Sequence, residues 1–140
     1  MIEFEVLGMP RPKGSYRSFA YRRKDGRLGT TTINSNPATA TWEQRVATEA
    51  QRVAMERRTA EGCEVRLTFR MPRPKYLKMK KALAVKRPDI DKLARAVLDG
   101  LTGTIIEDDS QIVSLIAAKR YCEPDELPGC HIVVTEVEAA

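Results

Sequence analysis

The stretch that decides the fold runs RPDIDKLARAVLDGLTGTIIEDDSQ over residues 87–111. Ile90, Leu93, Ala94, Val97, Leu98 and Leu101 recur at i, i+3, i+4 and i+7, the spacing of one buried helix face. Pro88 precedes this run and Gly103 follows it, so the spacing predicts a helix over 89–101. Asp89 and Asp91 stand at its entrance, and Asp108 and Asp109 come just after its exit. Residues 104–106 read as the start of a strand that is interrupted at 107–110 by a turn. The apolar run 112–121 then reads as a central strand.

The flanks supply the remaining elements. Ile2, Phe4 and Val6 alternate with Glu3 and Glu5, the mark of a half-buried strand. Val65, Leu67, Phe69 and Met71 alternate with Glu64, Arg66, Thr68 and Arg70, and residues 131–137 are rich in β-branched side chains. Thr41-Trp42-Glu43-Gln44 fits a capping box, with Thr41 as N-cap, opening an amphipathic helix that ends near Arg58 and buries Trp42, Val46, Ala50 and Val53. Asp25-Gly26 marks a small hairpin. The segment 76–83 reads as a basic loop with room for a short helix. The expected fold is α+β, a mixed sheet with two principal helices packed on it, in a single domain over 1–140.

Composition bounds the chemistry. The chain has 24 Lys and Arg against 19 Asp and Glu, for a formal charge of +5, which favours an anionic partner. Cys63, Cys122 and Cys130 are odd in number and lack a CxxC pair, which speaks against a disulfide scaffold and for a reducing, cytoplasmic setting. Cys122, Cys130 and His131 match no standard zinc spacing. No apolar run reaches the roughly 18 residues of a membrane span, so no membrane partner is expected. Basic side chains concentrate at Arg11, Lys13 and Arg17 and again at Lys75, Lys78, Lys80, Lys81 and Lys86. They read either as solvated loops or as a grip on a phosphate backbone.

Each carboxylate has two readings. Asp89 and Asp91 suit helix capping and the helix dipole, and Asp108 and Asp109 suit a turn. Together they also suit a Mg²⁺ site, because this cation takes oxygen ligands and keeps several waters. Arg95 is then a surface partner of Asp91 and Asp99 or a cation aimed at a phosphate.

PDIDKLARAVLDGLTG followed by IIEDDSQI, with GMPRPKGSYR more weakly, resembles the RusA-type Holliday junction resolvases, small endonucleases common in phages and prophages. The resemblance implies an α+β homodimer that cuts branched DNA, the four-way junction, by paired nicks with Mg²⁺. It implies Asp89, Asp91, Asp108 and Asp109 as metal-binding acids, Asp109 more than Asp108. Arg95 takes the place of a catalytically important lysine and keeps its charge without its capacity to deprotonate. Catalysis is thus expected from Asp89, Asp91, Asp109 and Arg95. The alternatives are a non-catalytic DNA-binding phage accessory protein and a general nuclease without junction preference. Removing the charges of Lys80 and Lys81 is expected to weaken DNA binding and to reduce the slope of log K against log salt by about one for each phosphate no longer neutralised. Binding measured at several salt concentrations checks this.

Overall fold

The structure, a computed structural model, describes residues 1–139 apart from Ser15, Ser35, Asn36, Glu56 and residues 78–80; for Tyr16–Arg22 and 30–34 it describes the backbone. Its elements are β1 (Ile2–Leu7), β2 (Tyr16–Arg22), β3 (Leu28–Asn34), α1 (Pro37–Ala54), β4 (Cys63–Met71), α2 (Ile90–Leu101), a 3₁₀ turn (Asp109–Gln111), β5 (Ile112–Tyr121) and β6 (Gly129–Glu136). β1, β6, β4 and β5 form a mixed sheet in that spatial order. β4 pairs parallel with β5, and β6 pairs antiparallel with both β4 and β1. The expected α+β architecture is therefore present, with two α-helices among the described residues. β2 and β3 pair separately as a hairpin. Its turn holds Gly26 at φ +82, a conformation that glycine adopts without a Cβ penalty, and Arg27 N–H donates to Asp25 Oδ1 at 2.9 Å.

Alternation along the strands sets which face is buried. Phe4, Val6, Val65, Leu67, Phe69, Ile132 and Val134 join Trp42, Val46 and Ala50 of α1 and Leu93, Val97 and Leu101 of α2 in one core. The other face of the sheet carries Glu3 and His131, 2.8 Å apart, and Arg66 bonded to Glu64. A parallel β4–β5 pair needs a long crossover, and residues 72–111 supply it with α2 inside it.

Three local expectations are corrected. The run 112–121 lies at the edge of the sheet, and β4 takes a central place; Val113, Leu115 and Ile116 are consequently exposed. An apolar run records what side chains prefer, not which strand lies beside them. Residues 104–106 form no strand. They close α2, with Ile105 N–H bonded to Leu101 O, Gly103 at φ +85, and Ile105 and Ile106 fully buried. Helix α1 starts at Pro37, well before Thr41, because proline suits the first helical turn and its missing N–H costs nothing there. It ends at Ala54, where Met55 turns to φ 49. Within 76–83, residues 78–80 lie outside the described residues, and Leu77 N–H donates to Pro74 O in a turn.

The two helices meet closely at Gly100. A Cβ there would lie 2.8 Å from Val46 Cγ1, 2.9 Å from Val46 Cβ and 3.1 Å from Glu43 O. Two of these atoms belong to a stiff β-branched stem and a backbone carbonyl, so they cannot rotate away. Gly100→Ala gains about 1 kcal/mol of helix propensity but overpacks the crossing by about 1–3 kcal/mol. A net loss is expected in urea unfolding, and it should shrink or reverse in the Gly100→Ala/Val46→Ala double variant.

Candidate active site

Asp91, Arg95 and Asp99 follow one another at i, i+4 and i+8 along the outer stripe of α2. With Lys13, Gly14, Lys92, Leu98, Asp109 and Leu115 they line an open cleft of about 820 Å³. Three of the residues expected at the site, Asp91, Arg95 and Asp109, are thereby brought to one place. Asp89 stands just before α2 as its N-cap. Its backbone is extended, its side chain makes no capping hydrogen bond, and its carboxylate is 59 % exposed and 3.9 Å from Lys92 Nζ. The cap position is thus occupied while the side chain stays available for other work.

The second pair of acids sits in a turn whose shape comes from Gln111. Gln111 Oε1 accepts from the N–H groups of Glu107 and Asp108, each at 2.8 Å. Its Nε2 donates to Thr59 O at 2.9 Å and Glu61 O at 2.8 Å. Both donors and both acceptor positions of the amide are filled, which is about as much as an amide side chain can do. Asp108 is the N-cap of this turn: its side chain accepts from Ser110 N–H at 3.4 Å and forms a capping box with Gln111. Asp108 and Asp109 share a hydrogen bond, which pulls Asp108 below the usual carboxylate range and pushes Asp109 above it. Desolvation and the charges of Asp108 and Asp99 raise Asp109 further, and Arg95 opposes them. Asp109 therefore holds its proton more tightly than an isolated aspartate does.

Lys13, expected to grip DNA, is ion-paired within the chain and lines the cleft. Its Nζ lies 2.9 Å from Glu43 Oε1 on α1 and 2.9 Å from Asp99 Oδ2 on α2, with the side chain 20 % exposed. Its backbone N–H donates to Lys92 O at 2.9 Å, and the preceding Pro12 O accepts from the buried Thr39 hydroxyl at 2.6 Å. The hydrogen bonds that Lys13 donates to Glu43 first, and then to Asp99, raise its affinity for its proton. Asp99, which spacing alone presents as a helix-face acid, is therefore a wall of the cleft with its own cation.

Of the other basic residues, Arg11, Lys75, Lys81 and Lys86 are exposed. The side chains of Arg17, Lys78 and Lys80 lie outside the described residues. Among the described residues no three of His, Cys, Asp or Glu gather into a ready cation cage. The donors in the cleft are carboxylate oxygens without Cys or His. One or two carboxylates with room for water suit a hard cation such as Mg²⁺ better than a softer metal that needs a closed protein cage.

A two-helix α+β chain with an acid-lined cleft along one helix is a class that includes nucleases, and sequence comparison identifies the family. The family described as Endodeoxyribonuclease RusA matches residues 9–135. The chain belongs to this RusA endodeoxyribonuclease family. It is also 30 % identical over 153 residues to the uncharacterized protein YqaN of Bacillus subtilis (strain 168), a match covering 99 % of this chain and 98 % of that one.

Lys13→Met is expected to destabilise the chain by about 1–2 kcal/mol, the range of charge-assisted hydrogen bonds discounted for partial solvent access. Because folding raises the Lys13 pKa above its ordinary 10.5, its stabilisation is fully present below that pH. It is lost as pH rises further. The stability difference between native and variant proteins should therefore hold from neutral pH to about 10 and narrow above it. The salt slope of DNA binding should stay unchanged, since two carboxylates already neutralise Lys13.

Proposed function

We propose that this chain is a Mg²⁺-dependent endonuclease of branched DNA that resolves four-way junctions by paired nicks, working as one catalytic domain over residues 1–140 in each subunit of a symmetric dimer. The observation that carries the reading is the convergence of Asp91, Arg95 and Asp109 on one open cleft in a chain of the RusA family.

Asp89, Asp91 and Asp109 would hold the cation, with Asp108 assisting. When bound, Mg²⁺ supplies activation of water and neutralisation of charge on the scissile phosphate. Arg95 supplies a planar guanidinium cation, so its role is to attract and orient the phosphate. Gln111 keeps the Asp108–Asp109 turn in shape by its four hydrogen bonds. The exposed Arg11, Lys75, Lys81 and Lys86 would follow the DNA backbone, with Arg17, Lys78 and Lys80 adding to them.

The outer edge of β5 supports pairing of two chains. It has no strand partner among the described residues, and it exposes Val113 by 68 %, Ile116 by 47 % and Leu115 by 44 %. Leu115 also lines the acid cleft, so a second copy along this edge would bring two clefts into a two-fold arrangement.

Cleavage of a synthetic four-way junction, compared with linear duplex and forked DNA in Mg²⁺ and in EDTA, tests the reading. Junction-selective nicking in Mg²⁺ alone is expected. Equal cutting of all three substrates would leave a general nuclease, and binding without cutting a DNA-binding module. Asp91→Asn should reduce cleavage by about 10²–10³-fold or more while junction binding holds or tightens, because a negative charge facing phosphate is removed. A near-native cleavage rate would overturn the role given to Asp91.

A further inference from the structure

Lys119 belongs to β5, opposite Phe69 of β4, and is half-buried. Its ammonium reaches the segment that leads into α2. Nζ donates to Lys86 O at 2.8 Å and to Pro88 O at 2.7 Å. Residues 81–89 form neither helix nor strand, so their carbonyls depend on partners of this kind.

The Pro88 carbonyl matters most, because it shares a rigid peptide plane with the nitrogen of Asp89. The next plane is fixed as well, since Asp89 O accepts from Leu93 N–H at 3.1 Å as the first bond of α2. Asp89 is thus held on both sides through its backbone, while its carboxylate makes no capping bond. With both flanking planes fixed, the direction of its Cα–Cβ bond is fixed too. Pro88 has no N–H of its own to offer.

We propose that Lys119 is a positioning residue: by holding the carbonyls of Lys86 and Pro88, it aims the Asp89 carboxylate toward the cation that Asp91 and Asp109 share. This inference rests on the metal site proposed above. It makes a prediction whose sign separates positioning from plain electrostatics. A lysine acting only as a nearby positive charge would compete with the cation, and its removal would tighten metal binding. A lysine that orients a ligand would, on removal, weaken it.

The test is calorimetric titration of Mg²⁺ alone into the native protein and the Lys119→Met, Lys119→Arg and Asp91→Asn variants. Amide hydrogen exchange and thermal melting are read on the same samples. Lys119→Met should weaken Mg²⁺ binding by about 10–100-fold, the usual consequence of losing a group that orients a metal ligand. Exchange should quicken at residues 86–91. Lys119→Arg should restore most of the affinity, because a guanidinium also has donors for two carbonyls. Unchanged or tighter binding in Lys119→Met, with binding weakened in Asp91→Asn, would overturn the role of Lys119 and leave the metal site standing. Equal binding by the native and Asp91→Asn proteins would remove both proposals. Should Lys119→Met melt far below the native protein, Lys119→Gln keeps one donor arm. An intermediate affinity there supports positioning, and a native one overturns it.

Discussion

The ammonium of Lys13 is the point through which three parts of the chain are joined. Glu43 comes from α1, Asp99 from α2 and Lys13 from the loop after β1, and both carboxylates lie 2.9 Å from Nζ. The helices can bring these acids together because Gly100 lets them cross closely, and Glu43 O is itself one of the atoms nearest to the Cβ position of Gly100. Two carboxylates so placed would repel one another without a cation between them. At about 4 Å, a pair of unit charges interacts by about 1 kcal/mol in water and about 4 kcal/mol at the dielectric usual near a protein surface. The crossing and the cation are therefore mutually dependent: the small residue makes the closeness, and the lysine makes it tolerable. Thr39, fully buried, adds a third tie by donating to Pro12 O.

This arrangement also sorts the acids of the cleft. Asp91, Asp99 and Asp109 line the same space, yet Asp99 is already paired with Lys13. Asp91 and Asp109 are left as the carboxylates with capacity for a further cation. Asp109 is raised by its shared hydrogen bond with Asp108, and an incoming positive charge would oppose that shift. The cleft is thus divided between Asp99, ion-paired with Lys13, and Asp91 and Asp109, which share it with Lys92 and Arg95. That division comes from the loop after β1, far in sequence from the acids it sorts.

Much of the fold could be read from periodicity. β1, β4 and β6 alternate, and α2 repeats its apolar face every three to four residues, because each buries one face against one core. The misread pieces share a cause. Residues 104–106 and 112–121 are both apolar, but the first plugs the end of α2 and the second borders solvent. Hydrophobicity states that a side chain gains from burial; it carries no information on whether a neighbouring strand exists to provide it. Asp89, Asp91 and Asp109 stood out because acids in a basic chain are conspicuous. The roles of Gln111, Lys13 and Lys119 did not, since each acts on groups 30 or more residues away, and two of the three act on backbone carbonyls, which every residue possesses. The DDSQ sequence offered a faint trace of Gln111, because a capping box places Asp and Gln three residues apart.

The edge position of β5 bears on both the proposed site and the proposed pairing of chains. A long, apolar edge is a liability in a monomer, since it offers unpaired backbone groups to any passing strand. Natural edges are commonly blunted by charge, and this strand does carry Lys119 and Arg120 near its end. Both, however, are engaged inside the chain: Lys119 holds the approach to α2, and Arg120 pairs with Glu126. The apolar half, Val113 to Ile116, begins directly after the Asp109–Gln111 turn and includes Leu115 of the cleft wall. A second chain seated there would cover apolar surface and, in the same step, rigidify the acid turn and enclose one side of the cleft. On this geometry a monomer would hold the carboxylates in a looser and wetter setting than a pair, so that assembly and metal binding would reinforce each other through the same few residues of β5.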